Sequence, residues 1–493
     1  MGLSSTAVSR VCGVSVEYKN YNTGNAAMLP QRLAIIGQGN DEAVFGLEKF
    51  EIEGSANAVG DKYGYGSPLH LAALQLFPQN GKGAEFPVTI YPLAKVSSAV
   101  AAKGAIGVTI AKPSDGATAN GSGTVYIGGI AAEFAVKKGD DAQEILSAVK
   151  NAVDSVLNMP AKTGDITADE IPLTAKWSGE SSDMITLKIT ADIPGVTFSL
   201  KEFTGGAIDP DINTALGKIG VVWETFILNC FDYKKEARLD VYQEFGENRW
   251  SALEKKPLLV CHGCTDVLAK RTKVTDKRKN DAINFLVVSV GSREMPFVIA
   301  ARALVNDIVT TANSNPAQGY KGLLTGLHCG EDDVQENYVQ RSASINKGSS
   351  TNIKNGSVAE LNDIVTFYHP TNEGQFPSKR YVVDLVKLQN VVFNVRLIME
   401  ADNLKGAPLV SDATITENKK AVQPKTIKTS FMNLADSLAL QAVIQEPEFS
   451  KKNMKVEIDK NNPKRVNVRF PVKLSGNVEI SDSDIYFGFY VGE

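Results

Sequence analysis

Histidine is scarce in this chain: four among 493 residues, His70, His262, His328 and His369. A serine or cysteine hydrolase needs a histidine base beside its nucleophile, and none of the four accompanies a G-x-S-x-G nucleophile elbow. His70, inside the apolar run LHLAAL, reads as a core histidine. A G-x-x-x-x-G-K-[ST] loop is also missing, so nucleotide hydrolysis has no phosphate cradle. Cysteine is sparse and odd in number: Cys12, Cys230, Cys261, Cys264 and Cys329. Five thiols spread over so long a chain argue against a disulfide framework. Cys12 alone is kept as a candidate intersubunit disulfide, because it lies in an extended terminal segment where a thiol meets a neighbouring chain. Net charge is small, −4, and points to neither nucleic acid nor an anionic membrane as the main partner. No apolar run reaches the roughly eighteen residues of a membrane-crossing helix, so no span is expected. Arg10 stands where the apolar core of a signal peptide would be, so export by the usual route is not expected. The opening MGLSST fits the short myristoylation pattern by chance.

Apolar residues make up 43% and charged residues 22% of the chain, the balance of a globular protein. Its length implies about two to four domains. After a Ser-rich start, Val14, Val16 and Tyr18 alternate as in an extended arm. RLAIIGQGN then reads as a strand ending in glycines, SPLHLAALQLF as a helix begun by Ser67 and Pro68, and FPVTIYPL as a buried strand. From about residue 96 the composition turns to Ala, Gly, Ser and Thr. TVYIGGIAAEFAV reads as a hairpin, followed by a helix opened by Asp140 or Asp141 with Ile145, Val149, Ala152, Val153 and Val156 on one face. MITLKIT and VTFSLKEF close this unit as strands, which makes residues 96–207 an inserted α+β domain. The α/β pattern resumes with GVVWETFILNC, a helix through EARLDVYQEFGENRW, strands KPLLVCHG and NFLVVSVG, and the helical FVIAARALVNDIVTTA. Alternation of this kind implies a largely parallel sheet covered on both faces.

Two motifs invite chemistry and fail on their own terms. Gly37 and Gly39 follow a strand as in a dinucleotide fingerprint, but the third glycine position holds Glu42, wrong in bulk and charge beside a pyrophosphate. Cys261 and Cys264, with His262 between them, have the spacing of half a zinc site and no second pair to complete it. Buried structural cysteines at a strand end are the expectation. No cofactor, metal or catalytic residue is assigned.

The last part of the chain is more antiparallel in character. YVVDLVKLQNVVFNVRLIMEA and SFMNLADSLALQAVIQEPEF read as helices, and RVNVRFPVKL alternates, with Val466, Val468, Phe470, Val472 and Leu474 on one face. The chain ends SDSDIYFGFYVGE, where Ile485, Tyr486, Phe487, Phe489, Tyr490 and Val491 fall on both faces of any strand drawn through them. Such a strand needs cover on both sides.

In this order the parts resemble contractile phage tail sheath proteins, most closely the Mu-like branch of myophages. The resemblance is carried by the arm before PQRLAIIGQGN, the insert with TVYIGGIAAEFAVKKGDDAQEILSAVKNAV, FGENRW, NSNPAQGYKGLLTGL, and the tail SGNVEISDSDIYFGFYVGE. It implies a non-catalytic, subtilisin-like α/β core with an inserted outer α+β domain and an α+β C-terminal domain carrying exchanged terminal strands. The implied parts are an arm over residues 1–25, a core over 26–95 and 208–345, the insert at 96–207, an inner domain facing a tube at 346–475, and a second arm at 476–493. It implies a virion tail location, with assembly in the host bacterial cytoplasm. The implied partners are neighbouring sheath subunits in a six-fold helical array, a tail tube protein, and baseplate and tail terminator or neck proteins. Nucleic acid and direct membrane insertion are not among them. On this reading Val14, Val16 and Tyr18 form one donated strand and Ile485 to Val491 the other, with Val466 to Leu474 as acceptor. Lys425 and Lys428 are the candidate tube-facing charges. An α/β enzyme with an unrecognised active site, or a strand-exchanging surface protein or adhesin, are the alternatives.

Overall fold

The computed structural model describes residues 26–78, 82–167, 170–373 and 378–487. Cys12, Val14, Val16, Tyr18, Phe489, Tyr490 and Val491 lie outside them. The described residues divide into two compact units, one of residues 28–393 with 474–487 and one of residues 394–473 with 26–27.

Strands of the larger unit are short apolar runs, and the two faces of each run go to different cores. Leu33 and Ile35 pack with Leu69, Leu76, Phe297 and Ile299, while Ala34 and Ile36 pack with Ile212, Leu216 and Tyr242. Helices Pro68–Leu76 and Pro296–Ala303 thus cover one face, and Asn213–Ile219 and Glu236–Trp250 the other. Between them lies a six-stranded sheet in the order Asn284–Val288, Leu259–Cys264, Phe226–Asn229, Leu33–Gln38, Val88–Leu93, Phe50–Glu51. The first five strands are parallel and the sixth is antiparallel. Every residue of the parallel strands is buried, which is why the alternation of a half-exposed strand is absent from their sequences.

The insert leaves and rejoins this unit through an antiparallel bridge between Val100 and Ala207, whose two N–H···O bonds are each 3.0 Å. Beyond the bridge stand two antiparallel sheets. One holds Val196–Thr204, Lys103–Ile110, Glu170–Ala175 and Ala161–Thr163; the other holds Ile130–Val136, Gly121–Ile127 and Leu187–Asp192. Helix Ala142–Ser155 starts at Asp141, whose carboxylate accepts from the Glu144 amide while Glu144 reaches back to the Asp141 amide. It buries Ile145, Leu146, Val149 and Val153.

In the smaller unit, helix Pro424–Leu440 buries Ile427, Phe431, Leu434 and Leu438 along one stripe. A hairpin pairs Lys455–Ile458 with Val466–Arg469, setting Val456 opposite Val468 and Ile458 opposite Val466.

The two compact units divide between Phe393 and Asn394, and Ala359, Leu361, Ile364, Val382, Val383, Leu385 and Val386 are buried in the larger core. Two sequence expectations are corrected here. The helix read through residues 430–449 begins earlier, with Pro424 in its first turn, and ends at Leu440. Ala442 and Glu446 then take φ of 54° and 50°, which no helix continues through. The nine-residue alternation from Val466 to Leu474 is not one strand: it stops at Arg469, ahead of Pro471, which has no N–H to give a ladder. Val466 and Val468 remain on the paired strand, Phe470 sits with its ring 5.3 Å from that of Phe431, and Val472 and Leu474 lie beyond the break.

Candidate functional site

The sheet carries a row of buried polar side chains that, exposed, would be the natural place for chemistry. Parallel register sets Asn229 beside His262, and Asn284 stands on the next strand. Asn229 Nδ2 donates to His262 Nδ1 at 2.9 Å, and His262 Nε2 meets Asn284 Oδ1 at 2.9 Å. Asn284 in turn donates to Asp281 at 2.7 Å, and Tyr242 donates to Asn229 Oδ1 at 3.0 Å. His262 has no exposed surface and both ring nitrogens are occupied. The row ties three strands together and leaves the imidazole with nothing to deprotonate.

Burial lowers His262 to about 4, against a smaller raising effect of its bond to Asn284. A histidine lowered from 6.5 stays neutral in the fold, so its contribution is complete above pH 6.5 and is lost as pH falls toward 4. Buried carboxylates such as Asp281 are raised by burial and work in the opposite sense, so the histidine must be isolated by comparison. Wild type is expected to exceed His262→Asn in stability by a margin that shrinks by about 2 kcal/mol between about pH 7.5 and about pH 4.5. Guanidinium unfolding of both proteins at each pH measures it, and a pH-independent margin would refute the neutral, buried assignment.

The candidate zinc half-site is dismantled by the same burial. Cys261 and Cys264 are fully buried, and desolvation pushes the Cys264 thiol up to about 11 and that of Cys261 well above its ordinary value. A metal-binding thiolate needs the reverse. Among the described residues no group of three His, Cys, Asp or Glu is placed to hold a metal ion. Gly37 and Gly39 are small for packing reasons: a Cβ on Gly37 would stand 2.9 Å from the Cys230 Cβ, and one on Gly39 2.5 Å from the Phe45 ring. Glu42 forms an ion pair with Lys162.

The other candidate residues lie at the surface. Ile485, Tyr486 and Phe487 are 84%, 92% and 97% exposed, and residues 475–487 belong to no strand or helix. Three large apolar side chains exposed in sequence form a contiguous apolar surface, unlike scattered surface hydrophobics. Exposure continues upstream at Val478 and Ile480, which the sequence reading had not singled out although both sit in the quoted tail. Lys425 is exposed, but its amide and ammonium both bond Asp412, at 2.9 and 3.4 Å; Lys428 is half-buried one turn on. Strand Val466–Arg469 pairs with Lys455–Ile458 within its own unit.

No family model matches the chain. It is 23% identical over 387 residues to the Mu-like prophage FluMu tail sheath protein of Haemophilus influenzae, a match covering 77% of each chain. Among solved structures, the sheath tail protein Lin1278 from Listeria innocua aligns with a TM-score of 0.49 at 12% identity, over 92% of this chain and 94% of that one. The helical sheath of the anti-feeding prophage in its contracted state aligns with a TM-score of 0.43 at 11% identity, over 99% and 100%. The resemblance legible in the residues is therefore matched by a curated relative: over 77% of its length the chain is similar to a Mu-like prophage tail sheath protein.

Proposed function

We propose that this chain is the structural subunit of a contractile tail sheath. Subunits polymerise as stacked hexameric rings around a tail tube, and the sheath contracts to drive the tube through a cell envelope, using energy stored in the extended lattice at assembly. The observation that carries this reading is the match to a Mu-like tail sheath protein along 77% of both chains. The exposed apolar tail supports it, since a subunit that must stay joined to its neighbours while their packing changes needs a flexible tether.

On this reading the α/β unit is a subtilisin-like core without a catalytic triad, and the insert is an outer decoration. The two arms, Val14 to Tyr18 and Ile485 to Val491, add strands to the hairpin sheets of neighbouring subunits, with Val466 and Val468 in the accepting strand. Lys425 and Lys428 face the tube, and baseplate and terminator proteins bound the two ends of the array. The assembled sheath resides in the virion tail after assembly in the host cytoplasm. Negative-stain electron microscopy of the purified chain at rising concentration tests this: rings or tubes are expected. A protein that remains monomeric at every concentration would overturn it.

A further inference from the structure

The C-terminal segment passes over a side chain that is seldom fully buried. Lys387, on helix Val382–Met399, has no exposed surface, and its ammonium donates to the Ser475 carbonyl at 2.7 Å, to Asn477 Oδ1 at 2.7 Å and to Asp384 Oδ1 at 3.2 Å. All three ammonium protons are used, as a buried charge requires. Asn477 then donates to the Ala317 carbonyl at 2.8 Å, and Glu479 lies 3.9 Å from Lys321. A Cβ on Gly319 would stand 3.2 Å from the Glu479 carboxylate, so this stretch lies close against its own subunit.

Side chains along the segment alternate in the sense opposite to an ordinary surface strand. Asn477 and Glu479 turn inward to polar partners, while Val478 and Ile480 face solvent, 86% and 74% exposed. A half-covered strand normally turns its apolar side chains inward. Here polar contacts hold the inner face, and the apolar face is left for another molecule.

We propose that Lys387 is a positioning residue for the C-terminal arm. It pins Ser475 and Asn477 so that the arm leaves its own subunit from a fixed point, with Val478 and Ile480 turned toward a neighbouring copy of this chain. The inference rests on the sheath reading. A pinned root holds residues 475–480 against their own subunit and so raises the effective concentration of the arm at a neighbour's sheet.

The test uses full-length protein carrying Lys387→Met or, leaving the helix sequence unaltered, Asn477→Ala. Amide hydrogen exchange of peptides covering residues 475–480, thermal unfolding, and tube formation are measured together. Root exchange is expected to accelerate at least about tenfold in both variants, with cooperative unfolding retained and tube formation reduced. Unchanged exchange at the root in both variants overturns the pin, and faster exchange with undiminished tubes overturns its role in directing the arm. Should wild type itself form no tubes, the sheath reading fails, while the exchange data still decide whether Lys387 pins the root.

Discussion

A chain ending at Ser481 is expected to fold as the full-length protein does and to form no rings or tubes. Residues 482–487 are exposed throughout, so their loss removes no buried side chain from either core. Both ends of the Lys387 contact are retained, because Ser475 and Asn477 precede the cut. What is lost, on the proposed reading, is the contact of the arm with neighbouring subunits. A seven-residue strand added to a sheet edge makes about six backbone hydrogen bonds of roughly 1 kcal/mol net each. Four or five apolar side chains contribute roughly 1.5 to 3 kcal/mol apiece when fully buried. Ordering the tail costs about 1 to 2 kcal/mol per residue, with side-chain entropy and the cost of association besides. One arm is thus a modest interaction, and many arms in a closed lattice act together. Removing all of them at once should therefore abolish assembly rather than weaken it in proportion. Circular dichroism and thermal melting establish folding, and negative-stain microscopy establishes assembly. Tubes from the truncated chain would place the arm outside the lattice contacts; failure to fold would make the tail part of its own core.

Gly263→Ala is expected to be the most damaging single methyl group in the sheet. A Cβ there would stand 1.6 Å from the carbonyl oxygen of Pro296 and 2.1 Å from its carbonyl carbon. Neither side of the clash is free to yield. Strand Leu259–Cys264 is hydrogen-bonded to a parallel neighbour on each side, and Pro296 opens a helix flanked by the fully buried Met295 and Phe297. Overpacking of a rigid site costs about 3 kcal/mol or more, a large part of a domain's total stability. Gly217→Ala is the control, since nothing lies within 4 Å of a Cβ on this helical glycine. There the change should be neutral or stabilising by up to about 1 kcal/mol. Guanidinium unfolding midpoints of the two variants measure the difference. Equal midpoints would mean that strand and helix do not approach so closely.

The glycine of CHGC shows where reading from sequence runs out. Spacing drew attention to the two cysteines and histidine as ligands, whereas the residue with the sharpest structural demand is the glycine between them. Nothing local distinguishes it, because the atoms that exclude a side chain belong to Pro296, remote in sequence. The same holds for Gly37, whose neighbours Leu69 and Cys230 arrive from two other elements. Asn229, His262 and Asn284 lie far apart in the chain and become a hydrogen-bonded row only through parallel register. Lys387 is similar: a lysine in an apolar helix is read as a surface residue until the returning C-terminal segment covers it.

Features set by neighbours along the chain were legible from composition and spacing. The parallel strands declare themselves as short apolar runs between helices because a strand covered on both faces has no polar side to show. The Asp141 helix start, the terminal apolar cluster and the missing nucleophile and phosphate loop are equally local facts. Tertiary structure decided the rest: which glycines must stay bare, where helix Pro424–Leu440 stops, and that the tail root turns its polar side inward. Each of these depends on which distant segment arrives at a given face, and that arrangement is chosen by the packing of the whole chain.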